Sequence, residues 1–336
     1  MEGTVRTYIN KICDVKLSNT TFPGTLPVSL RRKDLPVIFG IEKKSYHEYV
    51  ASYKADGVNG GRYFLGFMYV DARPTTFLVD RKYNVTRVET DHVYYPDIYE
   101  GTLFDVEFLE SGLLLIFDTL VIHGNVVKYK YYPIRLELAR MVLQLLIRRS
   151  ALSFEKIPVM SNSTYKSNVP DYVIDFSPYH QLKVKQIYYL TSPMPKPIYK
   201  EDGIIWTSAT TPYSVFRSNV TAVIKWKPLS HITLDFEFST QKENSWQKIT
   251  NIPDKYRPTK GNVSLYSTYN NTRVLFAKIF APLSNGIYEC TWCNDTWEPI
   301  KERKDKIRPN DLLTVCRTIE NLEENITLKE INEFDS

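Results

Sequence analysis

The sequence predicts an α+β protein in two parts, a large mixed sheet-and-helix part followed by a small β-barrel. Three observations carry this. Between residues 46 and 130 β-rich apolar runs recur at Tyr63–Val70, Thr76–Val79, Leu103–Leu109 and Leu113–Ile122, bounded by Gly, Asp and Asn. Residues 135–149 place Leu138, Met141, Val142, Leu145 and Leu146 at helical spacing. From residue 231 short runs at 231–240, Val263–Tyr266, Val274–Ile279 and Tyr288–Trp292 alternate with polar turns, the rhythm of a small barrel.

The elements follow in order. Residues 1–45 read as an irregular lead-in with a short helix or two. The strands of 46–130 come next, then the helix, whose last turn carries Arg148 and Arg149. Two cations there suit the negative end of the helix dipole, and their expected surroundings are solvent. Strands resume at Gln186–Leu190, Gly203–Thr207 and Thr221–Trp226. The final stretch, Leu313 to Phe334, is acidic and helix-compatible.

Composition bounds the function. The 336 residues are enough for about two domains. Hydrophobic residues make up 43% and charged residues 24%, so a sizeable core can form. The formal net charge of +5 permits a polyanionic partner without requiring one. No apolar run reaches the length of a membrane-spanning helix, and the opening residues have no secretory core, so the expectation is an intracellular protein without a membrane partner. Of the four cysteines, Cys290 and Cys293 form a lone CxxC. With no second pair of ligands in the sequence, these are expected to be ordinary strand or turn residues.

The most informative short string is Tyr53-Lys54-Ala55-Asp56-Gly57, a lysine beside a tight Asp-Gly turn where backbone and ligand can approach closely. Alone it is a common string, and an exposed surface lysine explains it. In order downstream come Asp80-Arg81, Phe104-Asp105-Val106-Glu107, Leu115-Ile116-Phe117-Asp118, Asp202-Gly203-Ile204-Ile205, Lys225-Trp226-Lys227-Pro228 and Arg303-Lys304-Asp305-Lys306. The series resembles the six collinear motifs of the covalent nucleotidyltransferases, the superfamily of mRNA capping enzymes and ATP-dependent ligases. Within it, Pro27–Asp34, His231–Phe236 and Leu322–Thr327 resemble the single-function capping enzyme of chlorella viruses. The likeness runs from about Pro23 to the C-terminus. It points to a relative encoded by another large DNA virus or a similar element, acting in the host nucleus or a cytoplasmic viral factory.

The resemblance implies a nucleotidyltransferase domain of ATP-grasp-like antiparallel sheets with helices over residues 1–236, with a helix of 319–336 packing back on it. An OB-fold barrel would span 237–318. It implies an mRNA guanylyltransferase (GTP–RNA guanylyltransferase) that moves GMP from GTP through a lysyl–GMP intermediate to a 5′-diphosphate RNA, with Mg²⁺ or Mn²⁺. Lys54 would be the nucleophile, and Lys225 and Lys227, alternating on a predicted strand, would face the phosphates. Arg303 and Lys306 would reach the outgoing phosphates, with Asp305 orienting their loop. Asp56, Arg62 and Arg81 would contact the nucleotide, Arg81 at the ribose. Glu107 would serve the ribose or the metal, and Asp202 the metal. Phe117 would stack on the guanine, although a Phe in an apolar run is core by default. An RNA triphosphatase and a cap methyltransferase would be separate polypeptides, and the enzyme a monomer.

Two positions depart from the family pattern. After the lysine motif the family places arginine two residues past the glycine, where this chain has Asn59; Arg62 follows Gly60-Gly61, and either it reaches back through the insertion or its role is lost. Val106 stands where the family has Gly, and would crowd the nucleotide pocket. Two other readings share this motif order. One is a DNA ligase working through lysyl–AMP, although ligases usually carry Glu-Gly where this chain has Asp202-Gly203. The other is an inert RNA-binding protein on the same fold.

Overall fold

A computed structural model describes residues 1–40, 49–58, 61–90, 95–149, 173–177, 180–188, 194–213, 215, 222–241, 249, 252–282, 284–304 and 306–335. Asn59, Thr221, Asp305, residues 189–190 and the side chains of Arg148 and Arg149 lie outside the described residues. The chain divides into two compact units, one of residues 1–28, 36–225 and 332–336, the other of 29–35 and 226–331.

The first unit opens with helix α1 (Glu2–Ile12), then β1 (Val28–Ser29), a short α2 (Leu35–Phe39) and β2 (Tyr49–Ala55). Next come β3 (Arg62–Val70), β4 (Arg73–Val79), β5 (Val85–Val88), β6 (Thr102–Phe108), β7 (Leu113–Ile122) and β8 (Asn125–Val126). Helix α3 (Tyr132–Arg149), β9 (Val173–Ser177), β10 (His180–Val184), β11 (Glu201–Ser208) and β12 (Val223–Trp226) complete it. An eight-stranded sheet runs β5-β4-β3-β6-β7-β10-β9 with β8 beside β7, and a four-stranded sheet runs β1-β12-β11-β2. Where the large sheet's pairings are described, neighbours are antiparallel except β10, which runs parallel to β7.

Strand alternation gives the large sheet two apolar faces. On one, Leu65, Phe104, Val106, Leu114 and Ile116 pack against α3 through Leu136, Ala139, Val142, Leu143 and Leu146. This buried stripe differs from the one expected: Met141 is exposed. Arg135, buried on Asp118 of β7 with Nε–Oδ1 at 2.7 Å, anchors the helix in that rotation. On the other face, Phe64, Phe77, Leu103 and Val121 pack against α1 through Val5 and Ile9, one turn apart. Helix α1 covers only part of this face, and the polar remainder holds the candidate site. Val106 belongs to the α3 side and is fully buried there, so it does not crowd the site as expected; alternation turns it away while Glu107 turns in.

The second unit is a five-stranded antiparallel sheet in the order β15-β14-β13-β16-β17. Its strands are β13 (Thr233–Ser239), β14 (Val263–Tyr269), β15 (Thr272–Ile279), β16 (Gly286–Cys293) and β17 (Thr296–Glu302), followed by helices α4 (Leu312–Glu324) and α5 (Leu328–Asp335). Among the described residues the sheet is open, with β15 and β17 as its edges. Two hairpins turn on Asn270-Asn271 and Asn294-Asp295, all four with positive φ, as a two-residue turn between twisted strands requires. The core is aromatic, with Phe236 stacked on Phe276 and edge-on to Trp297. Helix α4 joins it through Val315 and Ile319. The expectation grouped residues 319–336 with the first domain and put the boundary after 236. Here only 332–336 group with the first unit, and the division falls after Lys225. Strand β17 was not expected; it carries Pro299 and lies at the sheet edge, where proline is tolerated. Cys290 is buried and Cys293 exposed on β16. Their odd spacing turns them to opposite faces.

Candidate active site

Two sheets of the first unit supply the site. Antiparallel pairing of β2 with β11 matches Tyr53 to Ile204 and breaks register between Glu201 and Ile204. That irregularity brings Asp202 beside Lys54, whose Nζ donates to Asp202 Oδ1 at 2.6 Å. Both groups are largely buried, their side chains 21% and 11% exposed. A charged hydrogen bond in such a setting is strong and directional, so the amine is aimed.

The large sheet contributes a row across four strands. Arg62 pairs with Glu107, Glu107 with Leu115 and Leu115 with Lys183, which puts all four on one face. Two residues further along β7 is Phe117, and just past β10 is Lys185. Burial pushes the Glu107 carboxyl up to about 7, against the pull of Lys54, Arg62 and Lys185. Burial pushes the Lys185 ammonium down to about 7; Glu107 draws it up, Lys54 presses it down, and Asp202 draws it up. Lys54 and Asp202 of one sheet therefore face Glu107 and Lys185 of the other across a confined polar cluster. Titratable groups shifted in this way mark sites of chemistry.

The lysine motif's glycines fit around this cluster. A Cβ on Gly57 or on Gly61 would collide with Glu107 Oε1, and Gly61 has φ +62°. The turn closes by Gly61 N–H to Val58 O at 2.7 Å and is tied to β6 by Val58 N–H to Phe108 O at 3.0 Å. Directly after Gly61, Arg62 begins β3. Its guanidinium bonds Asp105 through both Nε, at 2.8 Å from Oδ1, and Nη2; Tyr213 Oη lies 3.2 Å from Nη2, and Thr25 O also accepts from it. It lies 5.6 Å from the Phe22 ring centre and 5.1 Å from that of Phe117. Of the two outcomes open in the sequence, Arg62 does reach the site, but as a buried cation satisfied by protein groups and touching the ring of Phe117. Phe117 is partly exposed on a strand whose flanking residues are buried, so it is not the core residue a default reading would make it.

The remaining predicted residues are less concentrated. Asp56 is paired with the exposed Lys200 at 2.9 Å. Arg81 is exposed in the turn after β4; Phe64 pairs with Val79, so Arg81 and Arg62 both lie two residues beyond that pair. Lys225 lies on β12, but Lys227 falls past the strand's end and in the second unit, so strand alternation does not put the two on one face as expected. Arg303 and Lys306 are in the second unit, gathered by the buried carboxylate of Asp235: Arg303 Nη1 is 3.0 Å from Oδ1 and Lys306 Nζ 3.4 Å from Oδ2. Asn310 braces Asp235, accepting its N–H at 2.7 Å. Lys185, Tyr213 and Asp235 were missed in the sequence. The signal available was a pair of lysines alternating in a β-rich string, Leu182-Lys183-Val184-Lys185.

An amine held by a carboxylate, a partly exposed aromatic ring and facing acid and base groups form a confined polar site. Residues 1–229 match the family model described as mRNA capping enzyme, catalytic domain, and residues 230–332 that described as mRNA capping enzyme, C-terminal domain. The chain belongs to the mRNA capping enzyme family. It is 24% identical to the mRNA-capping enzyme subunit alpha of Schizosaccharomyces pombe, covering 94% of this chain and 80% of that protein. It is 21% identical to the subunit alpha of Saccharomyces cerevisiae, over 98% and 82%. The mRNA-capping enzyme of Danio rerio is 24% identical, and there the match spans 93% of this chain but 49% of the relative. Among solved structures, a chlorella virus DNA ligase-adenylate aligns over 85% of this chain and 100% of its own, with 9% identity and a TM-score of 0.28.

Proposed function

We propose that this chain is an mRNA guanylyltransferase whose Lys54 carries the transferred nucleotide. The observation behind this is the Lys54–Asp202 contact of 2.6 Å, opposite Glu107 and Lys185, within residues that match the capping catalytic family. In the first step the Lys54 ammonium gives up a proton and its nitrogen forms an N–P bond to the α-phosphorus of GTP. The bond to the bridging oxygen breaks, pyrophosphate leaves, and the amine loses a proton. In the second step an oxygen of the terminal phosphate of a 5′-diphosphate RNA bonds to that phosphorus, the N–P bond breaks, and Lys54 takes a proton back.

The other residues act on charge and position. Asp202 Oδ1 fixes the direction of the amine. Phe117 stacks on the guanine, and Arg62 supports it from the other side of the ring contact. Lys225, Lys227, Arg303 and Lys306 stabilise negative charge on the phosphates, with Asp305 orienting the loop. Asp56 and Arg81 contact the nucleotide. Among the described residues no cluster of three or more His, Cys, Asp or Glu forms a protein cage for a metal. Mg²⁺ does not need one, since one or two carboxylates and the substrate's phosphates serve it, and Asp202 and Glu107 are carboxylates of that kind. Bound there, Mg²⁺ or Mn²⁺ would supply charge neutralisation on the triphosphate.

The same proposal takes the second unit as an OB-fold barrel, because five antiparallel strands make up that fold. It includes a monomeric enzyme of viral origin acting inside the host cell, with triphosphatase and methyltransferase as separate chains. The test is incubation with α-labelled GTP or ATP. GTP should label the wild type, pyrophosphate should remove the label, and Lys54→Ala should stay unlabelled. Preferential labelling by ATP would instead make the chain a ligase.

A further inference from the structure

In the second unit, two large apolar side chains stand in solvent at one end of the sheet. Tyr269 is 57% exposed and Ile307 92% exposed. Scattered exposed hydrophobes are ordinary, but here the surrounding backbone is fixed and the neighbours are cationic. Tyr269 pairs with Thr272 and closes the two-residue turn of Asn270-Asn271. Arg308 Nη1 donates to Asn271 Oδ1 at 2.6 Å. Thr268 N–H and Ser267 Oγ both donate to Asn310 O, at 3.2 and 2.9 Å. The hairpin tip and the stretch from Arg308 to Asn310 are thus bound into one surface.

The chemistry of that surface is mixed. Arg308 is exposed, and its hydrogen-bond acceptor is a neutral amide, so its charge stays available. Lys304 is 83% exposed, 3.7 Å from Glu302. Asp311 also lies here, its carboxylate turned to cap α4 through Thr314 N–H at 2.8 Å. A protein partner would favour a continuous apolar patch. Here the ring and the isoleucine are interrupted by amides and guanidinium. A rigid aromatic face beside cations matches a single-stranded nucleic acid, whose bases stack while its phosphates pair.

We propose that this end of the second unit binds the acceptor RNA, with Tyr269 stacked on a base and Arg308 on a phosphate. The inference rests on the guanylyltransferase reading, and the two half-reactions separate them. Lysyl–GMP formation needs no RNA, so Tyr269→Ala and Arg308→Gln should label from GTP like the wild type. Transfer from purified enzyme–GMP to a 5′-diphosphate RNA should show the KM for RNA raised about tenfold in Tyr269→Ala, kcat unchanged, and near-normal KM in Tyr269→Phe. Arg308→Gln should raise the same KM and flatten its dependence on salt. Unchanged RNA transfer in Tyr269→Ala and in the Tyr269→Ala/Arg308→Gln double variant would overturn the inference. So would self-association of the wild type that Tyr269→Ala abolishes while RNA KM is unaltered. Failure of the wild type to label from GTP would overturn the underlying reading instead.

Discussion

Replacing Arg62 with methionine should destabilise the first unit by about 4 kcal/mol. Asp105 is fully buried, and Arg62 meets it through two guanidinium nitrogens. Removing one partner of a buried ion pair costs on the order of 3–5 kcal/mol, because the other charge is left without compensation. The guanidinium also lies over the Phe22 and Phe117 rings at 5.6 and 5.1 Å. Such contacts contribute about 0.5–2 kcal/mol each, part of which methionine recovers against the same rings. At about 2–4 °C per kcal/mol for a unit of this size, melting should fall by about 8–16 °C. Burial already raises the Asp105 carboxyl from 3.8 while Arg62 holds it down. Without Arg62 it rises further, so the folded variant keeps a proton that the unfolded chain releases. The loss in stability should therefore grow as pH rises. Arg62→Met/Asp105→Leu removes both partners and should recover more than half of the loss. Thermal melting by circular dichroism at two pH values checks all three statements. A single-variant shift under about 2 °C, a loss independent of pH, or a double variant no better than the single would refute the reasoning.

Two further perturbations follow from the site. Gly61→Ala puts a methyl group against Glu107 at a φ of +62°, and lysyl–nucleotide formation should fall about 100-fold, measured by single-turnover labelling. The stability of the wild type, followed by urea midpoints from about pH 5 to about pH 9, should carry a contribution with its minimum near neutrality. Glu107, raised from 4.5 to about 7, binds a proton in the folded protein between those values, so stability falls as pH rises through that window. Lys185, lowered from 10.5 to about 7, has already lost its proton in the folded protein above 7, so stability is regained as pH rises towards 10.5. Glu107→Gln/Lys185→Met should lose both limbs, and an unaltered profile in that variant would exclude the pair as their source.

Strands β3, β4, β6 and β7 of the large sheet were legible because their apolar residues satisfy two cores at once, as Phe64 and Leu65 do on opposite faces of β3; β9 and β10, ahead of the strand expected at 186–190, were not. Lys54 was singled out by the order of the motifs that follow it, since the Asp-Gly string beside it is common by itself. What depended on distant partners was not. Lys183 and Lys185 look like solvent residues until Glu107 and Asp202 are brought opposite Lys185. Arg303 and Lys306 were legible as cations for phosphates, but not that Asp235, far back in sequence, holds both. The insertion before Arg62 left two outcomes, and only the position of Asp105 on the neighbouring strand chose between them. Strand β17 escaped notice because Pro299 and a run of charged residues are acceptable only at a sheet edge, and edge position is a tertiary fact.

The claim that a single side chain carries the nucleotide is tested most directly by locating it. The protein is treated with GTP and a divalent metal, digested at a pH that spares phosphoramidates, and its peptides are sequenced by mass spectrometry. The guanylate should be found on Lys54 alone. Guanylate on Lys185, Lys225 or another lysine, with Lys54 unmodified, would contradict the account.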